Sequence, residues 1–484
     1  DRTDRAAPRL VGDGATAVTG LTLSSRRVEP GDLYAALPGA SVHGADFAAA
    51  AVASGAVAVL TDEAGAARAV ATGVPVLVVE QPRSVLGALA ARLHGHPATA
   101  MRMIGVTGTQ GKTTTTRLLE SGLEQAGVRA AVVGTVGTRI AGSDVKTALT
   151  TPEAPDLQAL FAVMVEEDVV ACAMEVSSHA LVLGRVDGIL FDVAAFTNLG
   201  RDHLDFHDTV EDYFAAKASL FTPERARRGL VNVDDPYGAR LRTEATIPVR
   251  TFSPSGAEAD WRAVDVRLAG GGSDFTVVGP DGSFPAYVPL AGDFNVANAL
   301  CAVAVAGEAG LEPRAVAAGI AAGGGVPGRL EAVDAGQDFR AVVDYAHKPD
   351  AVTAALNALR AVTPGRLIVV IGAGGERDRG KRPLMGEIAA RLADVVVVTD
   401  DNPRGEDPAV IRAEVLAGVP ADAPAEVVEV GRRREAIAAA VDLARAGDTV
   451  LVAGKGHETG QEVDGVVHPF DDREVLRALI EAAR

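Results

Sequence analysis

Cysteine is nearly absent from this 484-residue chain: Cys172 and Cys301 are the only two, and both lie in apolar runs. A disulfide scaffold is therefore excluded, and the pair reads as small core residues. Excess positive charge is missing as well. The formal net charge is −18, which argues against nucleic acid or an anionic membrane as partner, so any anionic ligand has to be met by local basic groups. No run reaches the ~18 uninterrupted apolar residues of a membrane span, and Asp1-Arg2-Thr3-Asp4-Arg5 has no apolar signal core. The expectation is a cytoplasmic monomer acting on small molecules. At this length one core does not suffice, and two to four domains are expected.

What is present is a stretch that organises the rest, Gly105-Val106-Thr107-Gly108-Thr109-Gln110-Gly111-Lys112-Thr113-Thr114. An apolar run, Met101 to Val106, leads into it, and a helical pattern (Leu118, Leu119, Leu123) follows. Strand, glycine-rich loop and helix make a phosphate-binding loop, in which backbone N–H groups converge on phosphate oxygens at the positive end of a helix. Gly108, Thr109 and Gly111 would shape the cradle, Lys112 would reach the terminal phosphates, and Thr113 or Thr114 would hold Mg²⁺. Val106 stands where the usual spacing has glycine. The stretch predicts ATP binding.

Three segments are expected along the chain: 1–97, 98–325 and 326–484. In the first, Ser24-Ser25-Arg26 and two Pro-Gly pairs around Asp32-Leu33-Tyr34-Ala35 read either as turns flanking a strand or as a small ligand site using Ser25 and Arg26. In the second, the apolar strand Val169–Met174 ends in Glu175-Val176-Ser177-Ser178-His179, and Val193–Thr197 ends near Arg201-Asp202-His203-Leu204-Asp205. Carboxylates at the ends of buried parallel strands sit where α/β folds bind ligands, which makes Glu175 a Mg²⁺ ligand candidate. His203 either ligates a second metal or pairs with Asp202 or Asp205. Tyr213-Phe214-Ala215-Ala216-Lys217-Ala218-Ser219-Leu220-Phe221 predicts a helix with Phe214 and Phe221 on the core face. Lys217 would ordinarily send its amine to water; if buried instead, the neutral amine becomes reactive. Residues 262–289 alternate as antiparallel hairpins, and Asn295 and Asn298 open the helix that follows.

The third segment repeats a strand–helix rhythm and predicts a Rossmann-like domain. Its polar clusters follow the strands: Asp344-Tyr345-Ala346-His347-Lys348-Pro349-Asp350, Gly374-Gly375-Glu376-Arg377-Asp378, Asp400-Asp401-Asn402-Pro403-Arg404 and Gly454-Lys455-Gly456-His457-Glu458. Four such clusters read as an active-site rim. Gly372-Ala373-Gly374-Gly375 misses the GxGxxG spacing, so NAD is rejected. The fold class is α/β in three domains: a central phosphate-loop sheet with added hairpins stands between a small first domain and the Rossmann-like third.

Taken together, the Gly-Thr-Gln-Gly-Lys-Thr-Thr loop, Glu-Val-Ser-Ser-His, Thr-Asn-Leu, Tyr-Phe-Ala-Ala-Lys, Asn295-Val-Ala-Asn298, Pro327-Gly328-Arg329 and Asp-Tyr-Ala-His resemble the Mur ligase family over essentially the whole chain. Thr150-Thr151-Pro152, Lys381-Arg382 and above all Asp401-Asn402-Pro403-Arg404 resemble the members that add diaminopimelate to a UDP-linked muramoyl dipeptide through an acyl phosphate. The neighbouring readings are a lysine-adding ligase and a folylpolyglutamate synthase-like ligase. The resemblance implies a uridine pocket at Ser25 and Arg26, and a dipeptide site at Thr150, Thr151, Ser177 and Arg185. It implies ATP contacts from Lys112, Thr113, Asn295, Asn298, Arg329, Asp344 and His347, and Mg²⁺ on Glu175 and His203. It further implies a carbamylated Lys217 and a diaminopimelate site at Arg377, Asn402, Arg404, Gly454 and Glu458. Ser24, Lys348 and Gln110 depart from residues common in such enzymes, and none of the three removes a group the chemistry needs.

Overall fold

A computed structural model describes residues 7–39, 41–147, 149–200, 202–203 and 206–483. Asp205, considered above as a partner for His203, lies outside them. The chain forms two compact units. One runs to Thr116 and includes Gly127–Thr251 and Glu308–Leu311; the other comprises Arg117–Ala126, Phe252–Gly307 and Glu312–Arg484.

The first unit holds two sheets. Strands β1 (Arg9–Val11), β2 (Gly20–Thr22), β3 (Asp32–Ala35), β4 (Ala58–Thr61) and β5 (Val76–Val78) lie in the order β1-β5-β4-β3-β2, with β1 antiparallel and the others parallel. Next come β6 (Arg102–Thr107), β7 (Ala130–Gly134), β8 (Gly137–Ile140), β9 (Ser143–Val145), β10 (Ala171–Glu175), β11 (Val193–Phe196) and β12 (Gly229–Asn232). They run in the order β12-β11-β6-β10-β7-β8-β9, parallel as far as β7. The five parallel strands are apolar on both faces, as a sheet covered on both sides requires. Met103, Phe161, Cys172, Met174, Phe191, Phe196 and Phe214 fill one core. Because β6, β10, β11 and β7 are parallel, Thr107, Glu175, Phe196 and Gly134 all end at the same edge, where α/β folds carry their sites.

In the second unit, β13 (Val249–Ser253) ends beside the antiparallel meander β14 (Trp261–Ala269), β15 (Gly272–Gly279) and β16 (Gly282–Val288), as the alternation predicts. Its six-stranded sheet has the order β17-β18-β22-β19-β20-β21, from β17 (Glu331–Ala332), β18 (Arg340–Asp344), β19 (Leu367–Ile371), β20 (Val395–Val398), β21 (Glu426–Glu429) and β22 (Thr449–Ala453). All pairings but β17–β18 are parallel. Leu367, Val369 and Ile371 face helices Pro349–Arg360 and Lys381–Leu392, while Ile368 and Val370 face helices Arg433–Leu443 and Asp472–Ala482. That alternation in a wholly apolar strand is what a sheet with helices on both faces demands. A hairpin, β23 (Gly460–Val463) with β24 (Val466–Pro469), follows. The meander packs within this unit: a Cβ on Gly270, between β14 and β15, would stand 1.8 Å from Arg340 Nη2.

Candidate functional site

In the first unit the loop leaves β6 at Thr107 and the helix Lys112–Gln125 begins directly after it. Gly108 and Gly111 have φ of +147° and +85°, a backbone that disfavours any side chain. Gly108 is doubly constrained, because a Cβ there would lie 2.0 Å from Thr197 Oγ1. The loop is tied down by the residues after β11. Thr109 N–H donates to Asn198 O (2.9 Å), Gln110 N–H donates to Asn198 Oδ1 (2.9 Å), and Thr197 Oγ1 donates to Gln110 O (2.6 Å). Thr197 and Asn198 thus hold the loop in shape, a role the motif alone did not reveal. Lys112 Nζ donates to Gly108 O and Thr109 O at 2.7 and 2.9 Å.

Lys217 is the main correction to the simple lysine expectation. It is 1% exposed, its Nζ donates to Gly108 O at 2.8 Å, and it lies 4.5 Å from the Tyr213 ring centroid. The helix that carries it is Val210–Ala218, so Phe221 lies beyond its end, although still in the core. The phosphate loop folds over that helix and shuts Lys217 away from water. Burial pushes the neighbouring Tyr213 phenol upward, and its hydroxyl sits 3.1 Å from Thr109 Oγ1.

Glu175 ends β10 and is buried. Its Oε1 accepts Thr135 N–H at 2.7 Å and its Oε2 accepts the Thr135 hydroxyl at 3.2 Å. Thr150 Oγ1 lies 3.1 Å from Thr135 Oγ1, and Thr151 Oγ1 donates to Glu175 O at 2.8 Å. Arg185 donates to Thr151 O and to Glu153 Oε1 at 3.3 and 2.9 Å, while Ser177 caps the short helix Ser178–Val182. Thr150, Thr151, Glu175, Ser177 and Arg185 therefore form one connected cluster. His203, with φ +53°, has Nε2 3.4 Å from Asp202 Oδ2 and its ring 4.9 Å from that of His179. Among the described residues, no group of three or more His, Cys, Asp or Glu side chains stands ready to hold a metal ion. Mg²⁺ suits such a place, since it usually takes one or two carboxylates and completes its shell with phosphates and water. Glu175 fits, because each oxygen accepts one bond from Thr135 and a carboxylate has lone pairs beyond those. Ser25 is half-buried and Arg26 exposed, in a turn closed by Arg27 N–H donating to Ser24 O at 3.0 Å.

In the second unit, Asp344, Gly372–Gly375, Asp401–Arg404 and Gly454–Glu458 follow the carboxyl ends of β18, β19, β20 and β22, which lie side by side in the sheet. They form the rim that the four clusters predict. Asp344 accepts N–H bonds from Leu330 and Ala346 at 2.7 and 2.8 Å; burial raises its pKa, opposed by Arg329 and those two donors. Burial lowers His347 to about 4, so its ring is neutral near pH 7, and its Nδ1–H donates to Tyr345 O at 2.7 Å. The Arg329 guanidinium stacks 4.8 Å above the Tyr345 ring. Asn295 and Asn298 are buried on the helix Asp293–Glu308, linked by a 3.1 Å bond from Asn298 Nδ2 to Asn295 Oδ1.

Asn402 Nδ2 donates to Glu458 Oε2 at 3.0 Å. Arg404 is no solvent-facing turn residue: Nη1 donates to Gly375 O at 2.7 Å and Nε lies 3.2 Å from Glu462 Oε2. Its φ is +53°, held by backbone bonds to both Glu462 O (3.0 Å) and Asp464 N–H (2.7 Å). Asp401 Oδ2 is buried with no hydrogen-bond partner among the described residues, Arg433 Nη1 being 4.0 Å away. A Cβ on Gly454 would lie 2.5 Å from that oxygen, so this site needs glycine there. Arg377 is exposed. Beneath the rim, the buried pair Arg433–Asp472 is bidentate at 2.7 and 2.6 Å. The residue missed by the sequence reading is Lys455, fully buried and bonded to Asn402 and Glu458. A signal existed: few of the 46 cationic residues are lysine, so each lysine in this arginine-rich chain merits a reason.

Three family profiles match the chain: the Mur ligase family catalytic domain at 17–94, the Mur ligase middle domain at 106–306, and the Mur ligase glutamate ligase domain at 328–456. The UDP-N-acetylmuramoyl-L-alanyl-D-glutamate–2,6-diaminopimelate ligase of Streptomyces avermitilis is 59% identical, over 96% of this chain and 92% of its own. The protein of the same name from Streptomyces coelicolor is 58% identical, over 97% of this chain and 94% of its own. A solved structure of a ligase with this name superposes with a TM-score of 0.68 at 35% identity, covering 96% of this chain and 95% of that one. With matched segments from all three profiles and near full-length identity, the chain belongs to the Mur ligase family.

Proposed function

We propose that this chain is an ADP-forming ligase that joins diaminopimelate to the D-glutamate γ-carboxylate of UDP-N-acetylmuramoyl-L-alanyl-D-glutamate, a cytoplasmic step of peptidoglycan biosynthesis. The observation that carries the reading is the charged rim after β20 and β22, where the Arg404 cation stands near an Asn402–Glu458 pair, matching an amino acid that carries both charges at its far end. Residues 1–97 would take the UDP moiety through Ser25 and Arg26, 98–325 would take ATP and the dipeptide, and 326–484 the amino acid. No described helix is long and apolar enough to cross a membrane.

The γ-carboxylate attacks the γ-phosphorus of ATP, giving an acyl phosphate and ADP. Two anions must approach one another, so Lys112 and the loop N–H groups have to offset their repulsion. Thr150, Thr151, Ser177 and Arg185 would orient the dipeptide for that attack, and Asn295, Asn298, Arg329, Asp344 and the neutral His347 would serve the nucleotide. Mg²⁺, which Thr113, Glu175 and His203 would hold, supplies further charge compensation. The diaminopimelate amine then attacks the activated carbonyl, the C–O bond to phosphate breaks, and the amine proton is lost. Phosphate release should require the UDP-dipeptide and diaminopimelate together. Equal release with ATP alone would make the protein an uncoupled ATPase and remove this reading.

Lys217 would act as its carbamate. The neutral amine is the form that adds CO₂, and burial favours it; the ammonium gives up one proton to become that amine and a second as the N–C bond forms, so a cation becomes a carboxylate-like metal ligand. Lys217→Ala is expected to be nearly inactive and partly rescued by short carboxylic acids. A bare ammonium in well-ordered crystals grown with Mg²⁺ and nucleotide would contradict it.

A further inference from the structure

Lys455 lies between two groups of the proposed amino-acid site, with no surface in contact with water. Its Nζ donates to Asn402 Oδ1 and to Glu458 Oε2, each at 2.9 Å. Asn402 Oδ1 also accepts the Glu462 N–H at 3.0 Å, and Asn402 Nδ2 donates to the same Glu458 oxygen at 3.0 Å. Both ends of the Asn402 amide are therefore specified, its oxygen by two donors and its nitrogen by an acceptor. Rotated by half a turn, the amide would set its NH₂ group against the Lys455 amine and the Glu462 N–H, leaving that N–H without its acceptor and Lys455 with Glu458 in place of two partners. Glu458 Oε2 accepts the bonds from both Lys455 and Asn402, and the Tyr345 hydroxyl is a further hydrogen-bond neighbour of this carboxylate. A cation removed from water is tolerated only where it is paired and hydrogen-bonded, and here every such partner belongs to the rim.

We infer that Lys455 is a positioning residue of the amino-acid site: it fixes the Asn402 amide and anchors Glu458, and acts on the incoming amino acid through them. The inference rests on the reading of this rim as the diaminopimelate site. Without Lys455, the Asn402 amide is held by two bonds in place of three and Glu458 has lost a charge-assisted bond, so both groups are less firmly placed and substrate has to order them as it binds. The transferred phosphoryl group and the nucleotide are untouched by that change.

The test is steady-state phosphate release by the full chain with ATP, the UDP-dipeptide and diaminopimelate, for wild type, Lys455→Met and Lys455→Arg. Lys455→Met should raise the KM for diaminopimelate by about tenfold to a hundredfold, the effect of losing a hydrogen bond to a charged group. Its kcat at saturating diaminopimelate and its KM for ATP should stay near wild type, and Lys455→Arg should recover part of the loss. If Lys455→Met does not fold, Lys455→Gln, which keeps a donor without the charge, should show the same split. A fall in kcat with unchanged KM for diaminopimelate, or all three KM values rising together, overturns the inference. A wild type that does not use diaminopimelate overturns the underlying reading instead, and the two failures are distinct.

Discussion

Lys112→Ala should lower kcat by ~10²–10³ at saturating substrates, the usual cost of removing one preorganised stabiliser of developing charge. The residue stands at the first position of the helix Lys112–Gln125, where a cation and the helix end act on the same phosphates. Its bonds to Gly108 O and Thr109 O add a second effect, because the loop also loses two internal contacts. Loosening alone would show chiefly as weaker ATP binding, whereas loss of transition-state stabilisation lowers kcat with ATP saturating. Activity of Lys112→Ala within a few-fold of wild type would end the phosphate-loop assignment.

The second large effect concerns the choice of amino acid. Diaminopimelate and lysine differ at the far end, where one carries an added carboxylate and the other hydrogen. An arginine fork matches a carboxylate bidentately. Arg404 is already oriented by Gly375 O and Glu462, and its backbone is locked to the β23 strand, so little rotamer freedom remains to be lost on binding. With lysine bound, the fork would keep Glu462 and Gly375 O but lack the substrate carboxylate that completes it, and sites built around such a pair reject the analogue by ~10⁴. Arg404→Ala should therefore raise the KM for diaminopimelate strongly and collapse its advantage over lysine, while ATP and the UDP-dipeptide are little affected. The check is kcat/KM for both amino acids in wild type and variant; a variant that keeps its preference would assign the selectivity elsewhere.

Local pattern carried the architecture and most of the rim. The loop between Met101 and the Leu118–Leu123 pattern appears where glycine, lysine and hydroxyl spacing puts it, and the four polar clusters follow parallel strands because a βα rhythm brings strand ends to one edge. The misses share a physical cause, long-range contact. Lys217 is open locally between a snorkelling and a buried lysine, and the choice is made by the loop at Gly108, 109 residues earlier in the chain, which closes over it. Thr197 and Asn198 carry no chemistry of their own, and their role appears only with the loop bonded to them. Pro403 restrains the residue before it, but nothing local announces the positive φ of Arg404, which comes from pairing with Glu462 and Asp464. Strand β21, half-exposed and flanked by glutamates, lacks the apolar run that marked β19 and β20.

The central claim is most directly tested by offering the wild-type protein, with ATP and UDP-N-acetylmuramoyl-L-alanyl-D-glutamate, a panel of diaminopimelate, L-lysine and L-glutamate. Phosphate release and the mass of the UDP-linked product would be read together. The account predicts a product heavier by one diaminopimelate residue, formed with one phosphate released per bond, and a kcat/KM for lysine lower by ~10⁴. Equal use of lysine, or phosphate release without any UDP-linked product, would contradict it.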